Sequence, residues 1–289
     1  MDLWVGIDLG HTFTRLAWRQ PSGALELVSD IDGCRHIPTM AAAEAGGLVY
    51  GQSAARLAVS RPEAVVQDLL NRFAKDSYVS LPSGAMHAAE LLRGLLEHCR
   101  FSLDAALGRP VTTAAVAVPP RWSEAVVERL VAVGAQAGLE LLPIDSPLAA
   151  ALGGGLDRVT EPRCLLVLDL GGQQFNASLV SVEPDGLSRL ALTHRDHIAG
   201  AAFTNHIVDF VCSRASQDSG FDLRHEKWLM AELPFKAEAA KLELGRVAWS
   251  MIDFGDLERP GGGDPADVEV GVLTEDFEAM IVFVRTKNE

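Results

Sequence analysis

Val5-Gly6-Ile7-Asp8-Leu9-Gly10 and Leu166-Val167-Leu168-Asp169-Leu170-Gly171 follow one pattern: an apolar strand, then Asp, Leu and Gly, then a polar tip and a phenylalanine, Phe13 or Phe175. Apolar residues resume over 14–18 and 175–182, so each copy reads as a strand, a turn and a returning strand. A repeat at so long a period marks duplication of a whole domain rather than stacked short units. Two lobes, each opening with the same hairpin, are expected. The chain has 289 residues, close to the size at which a single core stops growing.

An Asp at a strand end, followed by a glycine turn, suits phosphate and magnesium. Glycines let backbone amides converge on phosphate oxygens, and a carboxylate holds a metal-bound water, since magnesium takes oxygen ligands and keeps much of its hydration. Two such hairpins facing each other would clamp a nucleotide tail. One Asp-Leu-Gly alone also makes an ordinary turn.

Apolar residues make up 48% of the chain and charged ones 22%, which argues for a buried interior and against disorder. The 39 acidic and 25 basic side chains leave a net charge of −14, which excludes nucleic acid and anionic membrane as partners. Cys34, Cys99, Cys164 and Cys212 form no CxxC pair, and no two of the eight histidines fall at metal-ligand spacing. The start, Met1-Asp2-Leu3-Trp4-Val5, lacks the basic residues of a signal peptide, and no apolar run reaches the length of a membrane span, so a soluble cytoplasmic protein is expected.

Between the hairpins, strand material is expected near Val28 and over 48–50, with a turn at Asp32-Gly33. Helical spacing runs over 54–70 and 86–107, and a β-branched strand over 111–118 leads to Pro119-Pro120 and a helix that Ser123 could cap. A strand over 139–144, a helix starting at Ser146-Pro147 and a buried strand over 165–169 come next. Beyond the second hairpin, helices are expected over 203–215 and 226–245, with Pro234 kinking or breaking the latter. Residues 256–267, with Pro260, three glycines and Pro265, read as a flexible loop, and a strand edge and a helix follow over 271–285.

Val5-Gly6-Ile7-Asp8-Leu9-Gly10, Gly51-Gln52, Val116-Ala117-Val118-Pro119, Ala149-Ala150-Ala151 with Gly155-Leu156-Asp157, Asp169-Leu170-Gly171-Gly172, and Glu238 with Lys241 resemble, in order, the ATPase domain of the DnaK-type 70-kDa heat-shock chaperone family. The resemblance implies an α/β fold, the duplicated actin-like (ribonuclease H-like) ATPase, with two lobes flanking a nucleotide cleft. Lobe I would be residues 1–145, its outer subdomain shortened. Lobe II would be 146–289, lacking its final strands and helix, so that the carboxyl-terminal part is incomplete. It further implies ATP or ADP with magnesium as cofactors, and a co-chaperone or nucleotide-exchange factor as partner. Asp8 and Asp169 match the aspartates that organise magnesium through water. Gly10, His11, Thr12, Gly171, Gly172, Gln173 and Gly200 match the phosphate loops, and Glu238 and Lys241 match adenosine contacts. Each glycine could equally serve a tight turn, and Glu238 with Lys241 could be a surface i,i+3 pair.

Departures from the family pattern fall on its chemistry. In an ungapped alignment the catalytic lysine becomes Leu70, and the Asn-Glu-Pro glutamate becomes Ser146, which could instead cap a helix, with Asp145 as a possible substitute. His11, Gln173 and Gln174 bring bulk into the two turns, Asn176 replaces an aspartate, Leu242 an adenine-stacking arginine, and Val127 a relay arginine. Phosphoryl transfer depends on preorganised donors, each worth on the order of 10²–10³-fold in rate. Weak ATP binding with impaired or absent hydrolysis is therefore expected, in protein folding or its regulation. The alternative is a non-enzymatic pseudo-ATPase scaffold for a protein partner. A sugar or acid kinase on the same fold is disfavoured.

Overall fold

The computed structural model describes residues 4–156, 159–196, 198–220, 222–255 and 268–286. The loop expected over 256–267, Asp157 of the motif series, and the first and last three residues lie outside the described residues. The chain forms two compact units, Met1–His194 and Arg195–Glu289.

The first unit starts with Val5–Leu9 (β1), Phe13–Arg19 (β2), Leu25–Val28 (β3) and Ile37–Pro38 (β4). Ala41–Glu44 (β5), Gly47–Tyr50 (β6), helix Gly51–Ser60 (α1) and Val65–Val66 (β7) come next. The single helix expected over 54–70 is thus interrupted. Pro62 offers no amide hydrogen and disfavours helical backbone before it, and Arg61 leaves the helix at φ −143°. The helical pattern resumes only over Leu69–Ala74 (α2), whose Leu69, Leu70 and Phe73 are buried.

Tyr78–Leu81 (β8) and Gly84–His87 (β9) form a hairpin that periodicity missed, because each strand is only four residues long. Helix Ala88–Leu107 (α3) follows, then Thr113–Val118 (β10), Glu124–Gln136 (α4), Glu140–Asp145 (β11) and Ser146–Gly153 (α5). Ser146 is the first helical residue of α5 and Asp145 its N-cap. The unit ends in Arg163–Leu170 (β12), Phe175–Glu183 (β13) and Gly186–Arg195 (β14).

The main sheet has the order β11-β10-β1-β2-β3, with β4 beside β2; β1, β10 and β11 are parallel. Val5, Ile7 and Leu9 alternate into one core with Val116 and Leu141, together with Leu91, Leu95 and Leu96 of α3 and Leu130 and Val133 of α4. Each such side chain, fully buried, stabilises the fold by roughly 1.5–3 kcal/mol. Gly6 and Asp8 are left on the opposite face. Helix α5 touches β10 and β11 as well as β12 and β13, so it joins the main sheet to the sheet β12-β13-β14.

Strand β12 was expected to be buried, yet Leu166, Leu168 and Leu170 are 65%, 61% and 57% exposed. It is an edge strand of a sheet whose interior face, carrying Asn176, Ser178, Val180 and Val182, is the covered one. An apolar run does not reveal how many faces are covered.

The second unit contains Gly200–Ser219 (α6), Lys227–Leu244 (α7), Trp249–Asp253 (β15), Glu269–Leu273 (β16) and Thr274–Thr286 (α8). Helix α7 runs through Pro234 without a break. The lost backbone bond costs about 3 kcal/mol, and burial of Leu229, Leu233, Ala237 and Ala240 along one stripe offsets it. Among the described residues, no helix is long and apolar enough to cross a membrane.

Candidate functional site

The two hairpins close with turns of equal length. Leu9 pairs with Thr14 and Leu170 with Phe175, leaving four residues in each turn. Asp8 stands across from Arg15, and Asp169 across from Asn176. By this register Phe175 corresponds to Thr14, and Phe13 to Gln174, so the two phenylalanines of the sequence pattern are one place out of step. A side chain at residue 10 would put its β-carbon 2.6 Å from the Phe13 carbonyl oxygen, and one at residue 171 would lie 3.0 Å from that of Gln174. Gly10 and Gly171 are therefore the first residues of equivalent turns, each demanding glycine for the turn itself.

The carboxylates that end the two strands lie within electrostatic reach of one another. Partial burial pushes Asp8 above the ordinary carboxylate pKa; the Arg15 guanidinium, 3.2 Å away, opposes the shift and the charge of Asp169 adds to it. Half of the Asp8 side chain remains in water, which limits the rise. Beside Asp169 in the register, Asn176 is 4% exposed, and its side-chain oxygen has no protein partner. Two carboxylates and an orphaned buried oxygen fit the hydration shell of a magnesium ion.

The phosphate end is different. Thr12 Oγ1 lies 1.7 Å from where a β-carbon of residue 172 would sit, so the two tips touch. Asn71, from α2, bridges them: its amide nitrogen donates to Gln173 Oε1 and to Asp68 Oδ1, both at 2.7 Å, and its oxygen lies 3.2 Å from His11 Nε2. Since that oxygen can only accept, His11 carries its proton on Nε2. Burial is the main cause of the lowered His11 pKa; the Asn71 bond and the charges of Asp68 and Asp169 oppose it, while Arg121 adds to it. Arg121 also donates to Gln174 Oε1 at 3.1 Å.

Leu70, where the ungapped alignment puts the family's lysine, is 1% exposed in the core. The α2 residue that reaches the tips is Asn71, one place further on. Sequence spacing missed it together with Arg121 and Asp68; the signal was two polar residues, Asp68 and Asn71, three apart on either side of Leu69-Leu70. Asp145 is taken by Arg189, its oxygen 2.6 Å from the guanidinium, and burial is the first cause of its raised pKa.

In the second unit the structure gathers Gly200, Glu238 and Lys241. Lys241 Nζ donates to the Gly200 carbonyl at 2.9 Å, Thr204 Oγ1 at 3.0 Å and Glu238 Oε2 at 2.6 Å; Thr204 also bonds Glu238. Far from being a loose surface pair, Lys241 and Glu238 fasten α7 to the first turn of α6. Leu242 is 61% exposed.

The Hsp70 protein family model matches residues 69–281. Chaperone protein DnaK of Thermotoga neapolitana is 27% identical over 278 residues, which cover 96% of this chain and 47% of that protein. DnaK of Thermotoga maritima gives the same figures, and DnaK of Thermosipho africanus is 27% identical over 96% of this chain and 46% of its own length. The chain thus spans about half the length of the curated relatives it matches. With its two matching hairpins and a family match over most of its length, the chain belongs to the Hsp70 family and has that family's actin-like ATPase fold.

Proposed function

We propose that the chain is a chaperone-type ATP-binding domain that binds ATP weakly, hydrolyses it slowly or not at all, and acts in protein folding or its regulation in the cytoplasm. Its lobes would be residues 1–145 and 146–289, with Asp8 and Asp169 holding magnesium through water and the glycines of the two turns offering amides to phosphate. One observation carries this function: the two tips already meet, the Thr12 side chain against the Gly172 backbone and His11 joined to Gln173 through Asn71. A polyphosphate would have to part them, and that cost comes out of its binding energy. Among the described residues, the position that matches the family's lysine is Leu70, buried in the core where it cannot stabilise transferring charge, and losing such a donor costs on the order of 10²–10³-fold in rate. Co-chaperones or a nucleotide-exchange factor are the partners that family membership suggests.

Calorimetric titration with Mg-ATP and single-turnover hydrolysis test this. Saturable binding, about tenfold or more weaker than that of Thermotoga maritima DnaK, with hydrolysis slower still, is expected. Turnover at that DnaK's own rate would refute it.

The exposed Leu166, Leu168 and Leu170 of edge strand β12 favour a second function, a pseudo-ATPase scaffold that covers this face with a protein partner. Under it, Mg-ATP would leave the melting temperature unchanged.

A further inference from the structure

Away from the hairpins, the β3–β4 loop and helix α3 bring together metal-binding side chains far apart in sequence. Asp30 is 5% exposed and fixes the loop: its Oδ1 accepts from the amides of Asp32 at 3.0 Å and Cys34 at 2.8 Å. Its other oxygen points away from these bonds, to His98 Nε2 at 3.2 Å, and the His98 side chain is only 10% exposed. Asp32 adds a second carboxylate from the solvent side, and one donor atom from each of the three residues falls within 4.8 Å of the others.

Residue 51, which faces the pair, is a glycine at φ 61°, where a β-carbon would sit 3.0 Å from the Ile37 Cγ2 methyl, 3.4 Å from His98 Nε2 and 3.6 Å from Asp30 Oδ2, so any other residue would crowd the His98–Asp30 pair.

We propose that Asp30, Asp32 and His98, with water completing the shell, form a binding site for a divalent transition-metal ion of the zinc class. The donor mixture decides the class. Imidazole suits zinc, whereas calcium and magnesium take oxygen alone. Donor atoms around a tetrahedral zinc lie about 3.3 Å apart, given bonds of about 2.0–2.2 Å to nitrogen and oxygen. The His98 and Asp30 atoms already have that spacing, and rotation of the exposed Asp32 side chain closes the rest. Binding at His98 Nε2 moves the proton now donated to Asp30 over to Nδ1 of the same ring. A dipositive ion would also offset the mutual repulsion of two carboxylates, one of them fully buried.

The test is chelator-stripped full chain titrated with Zn²⁺ against a competing chromophoric chelator, and with Co²⁺ followed by absorbance. One equivalent should bind tightly, and Co²⁺ should give the strong visible bands of a tetrahedral site. Asp32→Asn changes an exposed residue and spares the fold; it should weaken Zn²⁺ binding roughly tenfold or more. His98→Gln should do the same, and Asp169→Asn should leave binding intact. Absence of stoichiometric uptake, wild-type affinity in Asp32→Asn, or loss of uptake in Asp169→Asn would each overturn the site. None of these outcomes depends on whether the hairpins bind ATP.

Discussion

The hydroxyl of Thr12 rests against the α-carbon of Gly172, its oxygen 1.7 Å from the point a β-carbon there would take. Gly172 is therefore a contact residue between two hairpins, while Gly10 and Gly171 serve their own turns. Gly172→Ala should destabilise the chain by about 1–3 kcal/mol through overpacking. Adding Thr12→Gly, which removes the colliding atoms, should recover most of that loss. Urea denaturation of both single variants and the double variant measures the coupling; additive losses would mean that the two residues do not meet.

Asn71 and Leu70 are adjacent but face opposite surroundings, so lysine should act oppositely at each. Asn71→Lys removes the amide bridge between His11 and Gln173 and brings an ammonium to the tips. Mg-ATP affinity is expected to rise about tenfold or more, with stability changed little. Leu70→Lys would place an unpaired charge in the core and cost several kcal/mol. Titration calorimetry and denaturant melts separate the two outcomes.

Burial holds the His11 pKa below 6.5, so folding favours the neutral ring. As pH falls through about 6.5, the unfolded chain binds a proton that the folded chain still refuses. Stability therefore drops over this range and levels off below the folded pKa. Chemical denaturation at pH 7.5 and 5.5 should show a larger loss in the wild type than in His11→Gln; equal losses would remove His11 as the source.

Lys241 donates to three acceptors joining α6 and α7. Lys241→Met keeps much of the aliphatic stem but leaves the Gly200 carbonyl and the Glu238 carboxylate without that donor. The cost should be about 1–3 kcal/mol. Hydrogen exchange should accelerate at the amino-terminal turn of α6, while β1 and β10 of the first unit keep their protection.

Several differences between expectation and structure share a cause. Pro62 ended a helix that apolar spacing alone prolonged, whereas Pro234 did not end one, because four buried side chains hold α7 on the core. Strand β12 has the apolar run of a covered strand yet exposes three leucines, since coverage belongs to neighbouring elements. Ser146, read as a possible cap, entered helix α5, and Asp145, read as a possible substitute for the lost glutamate, became its N-cap while pairing with Arg189.

Legible in the order of residues is whatever acts over a few positions: two strand–turn–strand units whose first strands run into Asp-Leu-Gly, their glycine turns, and the pattern that places the chain in its family. Alternation, turn chemistry and strand propensity are written locally. The tertiary structure alone decided what stands around those turns. Asn71 between His11 and Gln173, Thr12 against Gly172, and Asp30 beside His98 are meetings of residues distant in the chain. Each is fixed by how helices pack on the sheets, and local propensity carries no record of such packing.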